Sequence, residues 1–333
     1  MKNYKLAIVG ATGVVGQMVL KVLEEKKLPI SEYVLFASSK SAGKKVSFMN
    51  KEYEVQELKE DSFDSHIDFA IFSAGGDTAK KYAPIAAEKG TIVIDNSNAF
   101  RMDKDVPLVV PEVNPEEIKK HHNIISNPNC STIQAVACLK PLDDKYNIKR
   151  IVYSTYQAVS GAGSKGIHDL ENGIINYLTK ENYKLEKFNY PIFNNCIPHI
   201  DVFLENGYTK EEQKMINETR KILKKPDLKI TATTVRVPVF NSHSESINIE
   251  FEKSFDLNEL KQTLKDSPSL KIIDDISNNK YPLATSATGH DDVLIGRIRR
   301  DYSVISGVNL WVVADNIRKG AASNAVQILE HLI

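Results

Sequence analysis

The sequence predicts a two-domain protein: a doubly wound parallel α/β domain, then an α+β domain on an open mixed sheet. Three observations carry this. The chain has 333 residues, and at about 100–200 residues per domain two is the expected number. Up to about Ser126, short apolar runs alternate with stretches of helical periodicity, the pattern of a parallel sheet covered on both faces. After about Tyr146 the strand-like runs lengthen and alternate more, as in a sheet with one wetter face.

Each element follows from its residues. Tyr4 to Val9 is a near-continuous apolar run of strand length. Gly10, Gly13 and Gly16 follow, and then Val15, Met18, Val19, Val22 and Leu23 recur at helical spacing as far as the stop at Lys26 to Pro29. Further strands are expected at Tyr33–Ala37, Asp68–Phe72, Thr91–Asp95 and Ile124-Ile125, with a helix over Asp77–Lys89. The segment Ser126 to Thr132 leads into another helix through Ala135 to Leu139. In the second domain, strands are expected at Arg150–Ala158, Leu228–Val239 and Ile247–Phe251. Thr209-Lys-Glu-Glu212 reads as a capping box that opens a helix with Met215, Ile216, Ile222 and Leu223 on its apolar face. Asn316 to Leu332 reads as one amphipathic helix with Ala321, Ala325, Ile328, Leu329 and Leu332 inward. The expected domains are therefore 1–129, completed by a C-terminal helix over 316–333, and 130–315.

Composition removes several function classes. With 42% apolar residues the chain can bury a core, which excludes disorder. Lys+Arg and Asp+Glu both number 43, so no net charge argues for nucleic acid. Three cysteines suit a reducing compartment better than a disulfide framework. No window approaches 18 apolar residues, and the first apolar run is too short for a signal peptide, so a soluble cytoplasmic protein with no membrane partner is expected. No metal site is expected. Only eight of the cations are arginines, so an Arg in apolar sequence stands out.

The glycine turn falls after the first strand and opens the first helix. There, backbone N–H groups at a helix start can approach a pyrophosphate, the Rossmann-like arrangement for a dinucleotide. Gly10, Thr12, Gly13, Val14 and Val15 are its candidate contacts. At the end of the second strand an NAD site usually has a carboxylate. This chain has Ser38, Lys40 and Ser41 instead, which suits a 2′-phosphate and favours NADP. Cys130 lies between a strand and a helix start, where a thiol loses its proton more readily, and is the candidate nucleophile. Cys138, inside the helix, reads as an inert core residue, and Cys196 has no assignment. A thiolate needs a proton-handling partner. His243 is the best of eight histidines: it lies in a loop between two strands, seven residues after Arg236, which is isolated in Thr234-Val-Arg-Val-Pro-Val239. An Arg in such a strand needs a carboxylate or phosphate.

Over nearly its whole length the chain resembles the aspartate-semialdehyde dehydrogenases. The resemblance rests on the glycine turn, Ala37–Gly43, Asn96–Arg101, Ser126–Thr132, Gln157–Gly163, Glu211–Lys214, Arg236–His243 and Asp315–Gly320. It implies reversible NADP-dependent conversion of L-aspartate 4-semialdehyde and phosphate to 4-phospho-L-aspartate, a step toward lysine, methionine and threonine. By the same resemblance Cys130 forms an acyl-thioester, His243 is the acid/base and Gln157 positions the reacting group. Arg236 and Glu211 would hold the substrate carboxylate and ammonium. Arg101, Lys214 and Asn129 would bind phosphate, and Ser160, Gly161 and Asn316 would lie at the nicotinamide end. A homodimer or homotetramer is implied through the second, catalytic and dimerisation domain.

The chemistry asks for the same parts. A bare aldehyde is a poor hydride donor until a thiolate adds, and the resulting thioester must then be opened by phosphate. Without the resemblance, Gln157 at a strand end and Lys214 on a helix would read as solvated. Two rivals stand beside this reading. N-acetyl-γ-glutamyl-phosphate reductase shares the expected fold, but its acylated substrate needs no partner for a free ammonium, so Glu211 and the Arg236–His243 segment favour the aspartyl substrate. A non-catalytic nucleotide sensor would be expected to have lost the thiol or the histidine.

Overall fold

The computed structural model describes residues 3–333, which form two compact units: the residues up to Asn129 together with Ala321–Ile333, and Cys130–Gly320.

The first unit holds β1 (Tyr4–Val9), α1 (Val14–Lys26), β2 (Ile30–Ala37), β3 (Lys45–Phe48), β4 (Lys51–Glu54), β5 (Gln56–Glu57), β6 (Phe69–Phe72), α2 (Gly76–Glu88), β7 (Ile92–Asp95) and β8 (Ile124–Ser126). Six strands pair in the order β5-β2-β1-β6-β7-β8, every pair parallel. Both faces of β1 are buried, which explains its unbroken apolar run. Leu6 and Ile8 join the core with Val19 and Leu23 of α1 and Ala325 and Leu329 near the chain end. Ala7 and Val9 join the opposite core with Ala79 and Ala83 of α2. The β3–β4 hairpin was not expected from the sequence. Its turn, Met49-Asn50, has positive φ at both residues, yet lacks the Asn-Gly pair that usually announces such a hairpin.

The second unit holds α3 (Cys130–Tyr146), β9 (Ile148–Gln157), α4 (Ser164–Thr179), α5 (Lys210–Ile222), β10 (Lys229–Arg236), β11 (His243–Phe251), α6 (Leu257–Lys265), β12 (Leu270–Ile272), β13 (Val293–Asp301) and β14 (Gly307–Ala314). Its sheet runs β10-β9-β11-β14-β13-β12, with parallel pairs β10/β9 and β12/β13 and antiparallel pairs between. Helices α3, α5 and α6 pack on this sheet. β11 alternates buried and half-buried residues over its whole length, as a sheet with one covered face requires. On the less covered face, the rings of exposed Tyr156 and half-buried Trp311 lie 5.5 Å apart. The expected capping box is present: the Thr209 hydroxyl accepts from Glu212 N–H, while Thr209 N–H donates to Glu212 Oε2 at 2.7 Å.

Two boundaries differ from the sequence reading. Asn316–Leu332 is not one helix: a wide π-type turn over Arg318–Ser323 precedes a C-terminal helix, Asn324–Glu330. Shortly before the chain leaves the second unit after Gly320, the side chains of Asp315 and Asn316 are tied within that unit. Gly289 N–H donates to Asp315 Oδ2 at 2.8 Å, and Ser242 N–H donates to Asn316 Oδ1 at 2.9 Å. His243 does not sit in a loop either. It is the first residue of β11, paired with Ala314 and fully buried.

Candidate active site

The second unit holds nine of the expected residues: Cys130, Gln157, Ser160, Gly161, Glu211, Lys214, Arg236, His243 and Asn316. Cys130 is the first residue of α3 and half-buried, at the end of a helix where backbone N–H groups favour a thiolate. A Cβ on Gly320 would lie 2.9 Å from Cys130 Cβ, so only glycine lets the chain pass over the nucleophile. Sequence reading quoted Gly320 without giving it a role.

Arg236 ends β10, Gln157 ends β9 and His243 begins β11, so three adjacent strands present them at one edge of the sheet. Arg236 is 5% exposed; its Nη1 donates to the Ala158 carbonyl at 2.6 Å. Burial pulls its pKa down, opposed by the charges of Glu211 and Cys130. Glu211 is buried on the first turn of α5, where Gln157 Nε2 donates to its Oε1 at 3.1 Å. Gln157 Oε1 accepts from the Thr155 hydroxyl at 3.1 Å. Gln157 is thus 1% exposed and fixed at both ends, not solvated.

Lys214 is also less free than a surface lysine. It donates to Asp201 at 2.7 Å and to Glu211 at 3.1 Å. Burial works against its charge, but Glu211 and Asp201 hold its pKa above the ordinary lysine value. Burial likewise disfavours the Asp201 carboxylate, yet Lys214 keeps it below the usual range. Asp201 escaped the sequence reading because it lies in an irregular segment with a left-handed backbone, φ 69°.

His243 is fully buried. Burial first, and then the Arg236 charge, bring its pKa down to about 3, with Glu211 acting the other way. Its Nδ1 accepts the Ala158 N–H at 3.0 Å, and Gln134 Nε2 approaches its backbone carbonyl at 3.4 Å. This histidine is therefore neutral through the functional pH range, unlike a solvated loop imidazole. A Cβ at Gly161 would lie 3.1 Å from Arg236 Nη1 and 3.3 Å from His243 Nε2, so the missing side chain leaves the space where both nitrogens converge. The Ser160 hydroxyl pairs with Asn316 at 3.0–3.2 Å.

The remaining expected residues belong to the first unit. Gly10 has φ 86°, and a Cβ there would lie 2.8 Å from the Ser73 backbone; one on Gly16 would lie 2.2 Å from the Gly10 carbonyl. The fold itself requires these two glycines. Gly13 meets only Gly10 O at 3.4 Å, caps α1 without a side chain and leaves its N–H edge open, with no acidic residue in the first turn. That is what a pyrophosphate needs, so the turn fits a dinucleotide. Thr12 Oγ1 donates to Ser41 Oγ at 3.4 Å, joining the glycine turn to the loop after β2, where Ser38 and Lys40 are exposed. Val14 and Val15 open α1. Arg101 is 7% exposed, with Nε donating to Asn127 O and Nη2 to Asn96 O, both at 2.9 Å; Asn129 is also 7% exposed.

Glu245 was not singled out from the sequence. It lies two residues beyond His243 on the same face of β11, fully buried, and neither carboxyl oxygen has a hydrogen-bond partner. Burial first, then Glu211, pushes its pKa well above the ordinary value, which favours the neutral acid. An unfolded Glu ionises near ~4.3. Its stabilising contribution is therefore complete below that pH and is lost as pH rises toward the folded value. Glu245→Gln should flatten the fall in stability above pH ~5 by up to about 1.4 kcal/mol per pH unit. Urea unfolding at several pH values measures this; equal slopes in both proteins would mean an ionised Glu245.

Fold and site together define a nicotinamide-dependent semialdehyde dehydrogenase. Residues 5–121 match the family described as semialdehyde dehydrogenase, NAD binding domain, and residues 139–319 match its dimerisation domain. The aspartate-semialdehyde dehydrogenase of Aquifex aeolicus is 56% identical over 99% of this chain and 98% of its own length; that of Bacillus subtilis is 47% identical over 99% and 98%. The crystal structure of aspartate semialdehyde dehydrogenase II from Vibrio cholerae complexed with ASA has a TM-score of 0.96 at 47% identity, covering 100% of this chain and 98% of that one. The Candida albicans enzyme with NADP has a TM-score of 0.77 at 27% identity, covering 99% and 98%. The chain belongs to the aspartate-semialdehyde dehydrogenase family, oxidoreductases of amino-acid biosynthesis. Among the described residues no helix is long and apolar enough to cross a membrane.

Proposed function

We propose that this chain interconverts L-aspartate 4-semialdehyde, phosphate and NADP⁺ with 4-phospho-L-aspartate and NADPH through a thioester on Cys130. The observation that carries the reading is the convergence of Arg236, Gln157 and His243 at one end of the sheet with Glu211 of α5 bonded to Gln157, and with Cys130 at the start of α3 electrostatically coupled to Arg236. Arg236 takes the substrate α-carboxylate in bidentate fashion, because a planar buried guanidinium suits that partner. Glu211 takes the ammonium, and Gln157, held by Thr155 and Glu211, orients the reacting carbonyl. His243 handles protons or hydrogen bonds at that oxygen. Arg101, Lys214 and Asn129 are assigned to phosphate. Bound nicotinamide supplies the hydride acceptor. Ser160, Gly161 and Asn316 are assigned to its ring, and Gly10, Thr12, Gly13, Val14 and Val15 to the pyrophosphate.

Steady-state assays with aspartate semialdehyde and N-acetyl-glutamate semialdehyde, each with and without phosphate and with NADP⁺ or NAD⁺, test the whole reading. Phosphate-dependent NADPH formation from the aspartyl substrate is expected. No turnover of either would leave a nucleotide sensor. The choice of NADP rests on Ser38, Lys40 and Ser41, exposed or half-buried and without a carboxylate among them. Lys40→Glu should raise the NADP⁺ Michaelis constant about tenfold or more and leave that for NAD⁺ nearly unchanged, since one ion pair on a phosphate is worth about that factor. Equal shifts would place this loop away from the ribose. The half-open sheet face around Tyr156 and Trp311 is assigned to a homodimer or dimer of dimers, and the biosynthetic role to the cytoplasm.

A further inference from the structure

We propose that Asn127 and Asn324 are positioning residues for the phosphate site: their paired side-chain amides fix the two peptide carbonyls that clamp Arg101. This deepens the assignment of phosphate to Arg101 and rests on it.

The Arg101 guanidinium is seated on peptide oxygens. Arg318 uses its Nε and Nη2 edge to fork the Asp291 carboxylate at 2.8 and 3.0 Å. Arg101 turns the same edge onto carbonyls, Nε to Asn127 O and Nη2 to Asn96 O, both at 2.9 Å. Carbonyl dipoles orient a cation without cancelling its charge, as an anion site requires. The carboxyl that feels this charge is Asp95, where burial favours the neutral acid against the pull of Ser97 and Arg101. It accepts from Ser97 N–H at 2.9 Å and from the Ser97 hydroxyl at 2.7 Å.

Both clamping carbonyls are placed by side-chain amides. Asn127, directly after β8, is fully buried. Its Nδ2 donates to Asn96 Oδ1 at 2.7 Å and to Ala321 O at 3.1 Å, and its Oδ1 accepts from Asn324 Nδ2 at 2.6 Å. Asn324, the first residue of the C-terminal helix, is also fully buried, and its Nδ2 donates as well to Val109 O at 3.0 Å. Ala321 O and Val109 O can only accept, so they fix which end of each amide is nitrogen. From Asn324 through Asn127 to Asn96 there is thus one directed run of N–H donors. It ends on the two residues whose carbonyls hold Arg101, and all of them belong to the first unit.

Stability alone does not explain this run. Asn324 Oδ1 and Asn96 Nδ2, at its two ends, are buried and have no hydrogen-bond partner among the described residues. Burying a polar group unpaired is unfavourable, and an apolar pair of the same shape would pack there without that penalty. An apolar pair could not hold two carbonyls at a fixed spacing for one guanidinium. Without the Asn324 donor, the Asn127 amide is free to turn and Arg101 loses its fixed seat.

Initial rates with phosphate and semialdehyde varied in turn test this. Asn324→Ala should raise the phosphate Michaelis constant about tenfold, the lower end of what loss of a supporting hydrogen bond does at a bound-ion site. The semialdehyde constant, and kcat at saturating phosphate, should stay within about twofold, as when only binding of one substrate is lost. A double-mutant cycle separates positioning from a general structural role. Added to Arg101→Leu, Asn324→Ala should raise the phosphate constant no further, because it acts only through that arginine. Additive effects, a normal phosphate constant in folded Asn324→Ala, or equal rises in both constants each overturn the proposal. Asn324→Ser keeps one donor for Asn127 and serves if the alanine variant does not fold. A smaller rise that likewise vanishes in the Arg101→Leu background is expected of it, and no rise overturns the proposal. Absent phosphate-dependent turnover in the unaltered protein, or an unchanged phosphate constant in Arg101→Leu, strikes the functional reading and the proposal with it. Failure of the cycle alone strikes only the proposal.

Discussion

Cys130→Ala should abolish turnover while the protein folds and binds its nicotinamide cofactor as before. The nucleophile heads a helix whose following residues are buried on their own account, and the glycine turn belongs to the other unit. Removing the nucleophile of a covalent enzyme costs on the order of 10⁶ in kcat. Cys130→Ser should fall nearly as far, because a hydroxyl is a weak nucleophile near neutral pH. Single-turnover assays and thermal melts separate chemistry from folding, and near-normal turnover by Cys130→Ala would remove the thioester route. Cys138 is the internal control. It is fully buried, its Sγ donates to Ala135 O at 3.0 Å, and burial pushes its thiol far up, so it is unreactive. Cys138→Ala should lower stability by ~1 kcal/mol and leave kcat alone.

The second large effect separates the two anion sites. Arg236→Leu should raise the semialdehyde Michaelis constant more than tenfold and leave phosphate dependence nearly unchanged; Arg101→Leu should do the reverse. Loss of one partner of a desolvated charge pair costs ~2–5 kcal/mol, which sets that factor. Lys214→Ala should affect phosphate less than Arg101→Leu does, since Asp201 and Glu211 already balance the lysine charge. Michaelis constants for both substrates in all three variants decide it. Parallel shifts in both constants would mean that carboxylate and phosphate are not assigned to separate residues.

The parallel sheet of the first unit was legible because both of its faces are buried, so each strand is an apolar run and each helix a periodic one. The second sheet was half legible. β13 and β14 escaped notice because β13 mixes Arg297, Arg299 and Arg300 into its alternation, with a register shift between Gly296 and Arg299 and a left-handed φ of 53° at Arg297. The site shows the same division. Cys130 and Arg236 were marked by context, a helix start and an apolar strand. His243 was singled out but placed in a loop, since Asn241, Ser242 and Ser244 look like a turn, whereas it begins β11. What makes it unusual, one backbone N–H from a residue 85 positions away, leaves no trace in side-chain identity. Asp201 and Glu245 were invisible for the same reason: their partners, or lack of them, exist only once distant strands and helices are brought together.

The last residues of the chain complete the first unit's core, with Ala322, Ala325, Val326, Ile328 and Leu329 packed on the same sheet face as α1. Synthesis runs from the N-terminus, and domains ordinarily fold in that order. Here the face of the first sheet that carries α1 stays only partly covered until residues 321–333, which directly follow the second unit, leave the ribosome. A nascent or C-terminally clipped chain would present an incompletely covered apolar face, the surface on which chaperones act.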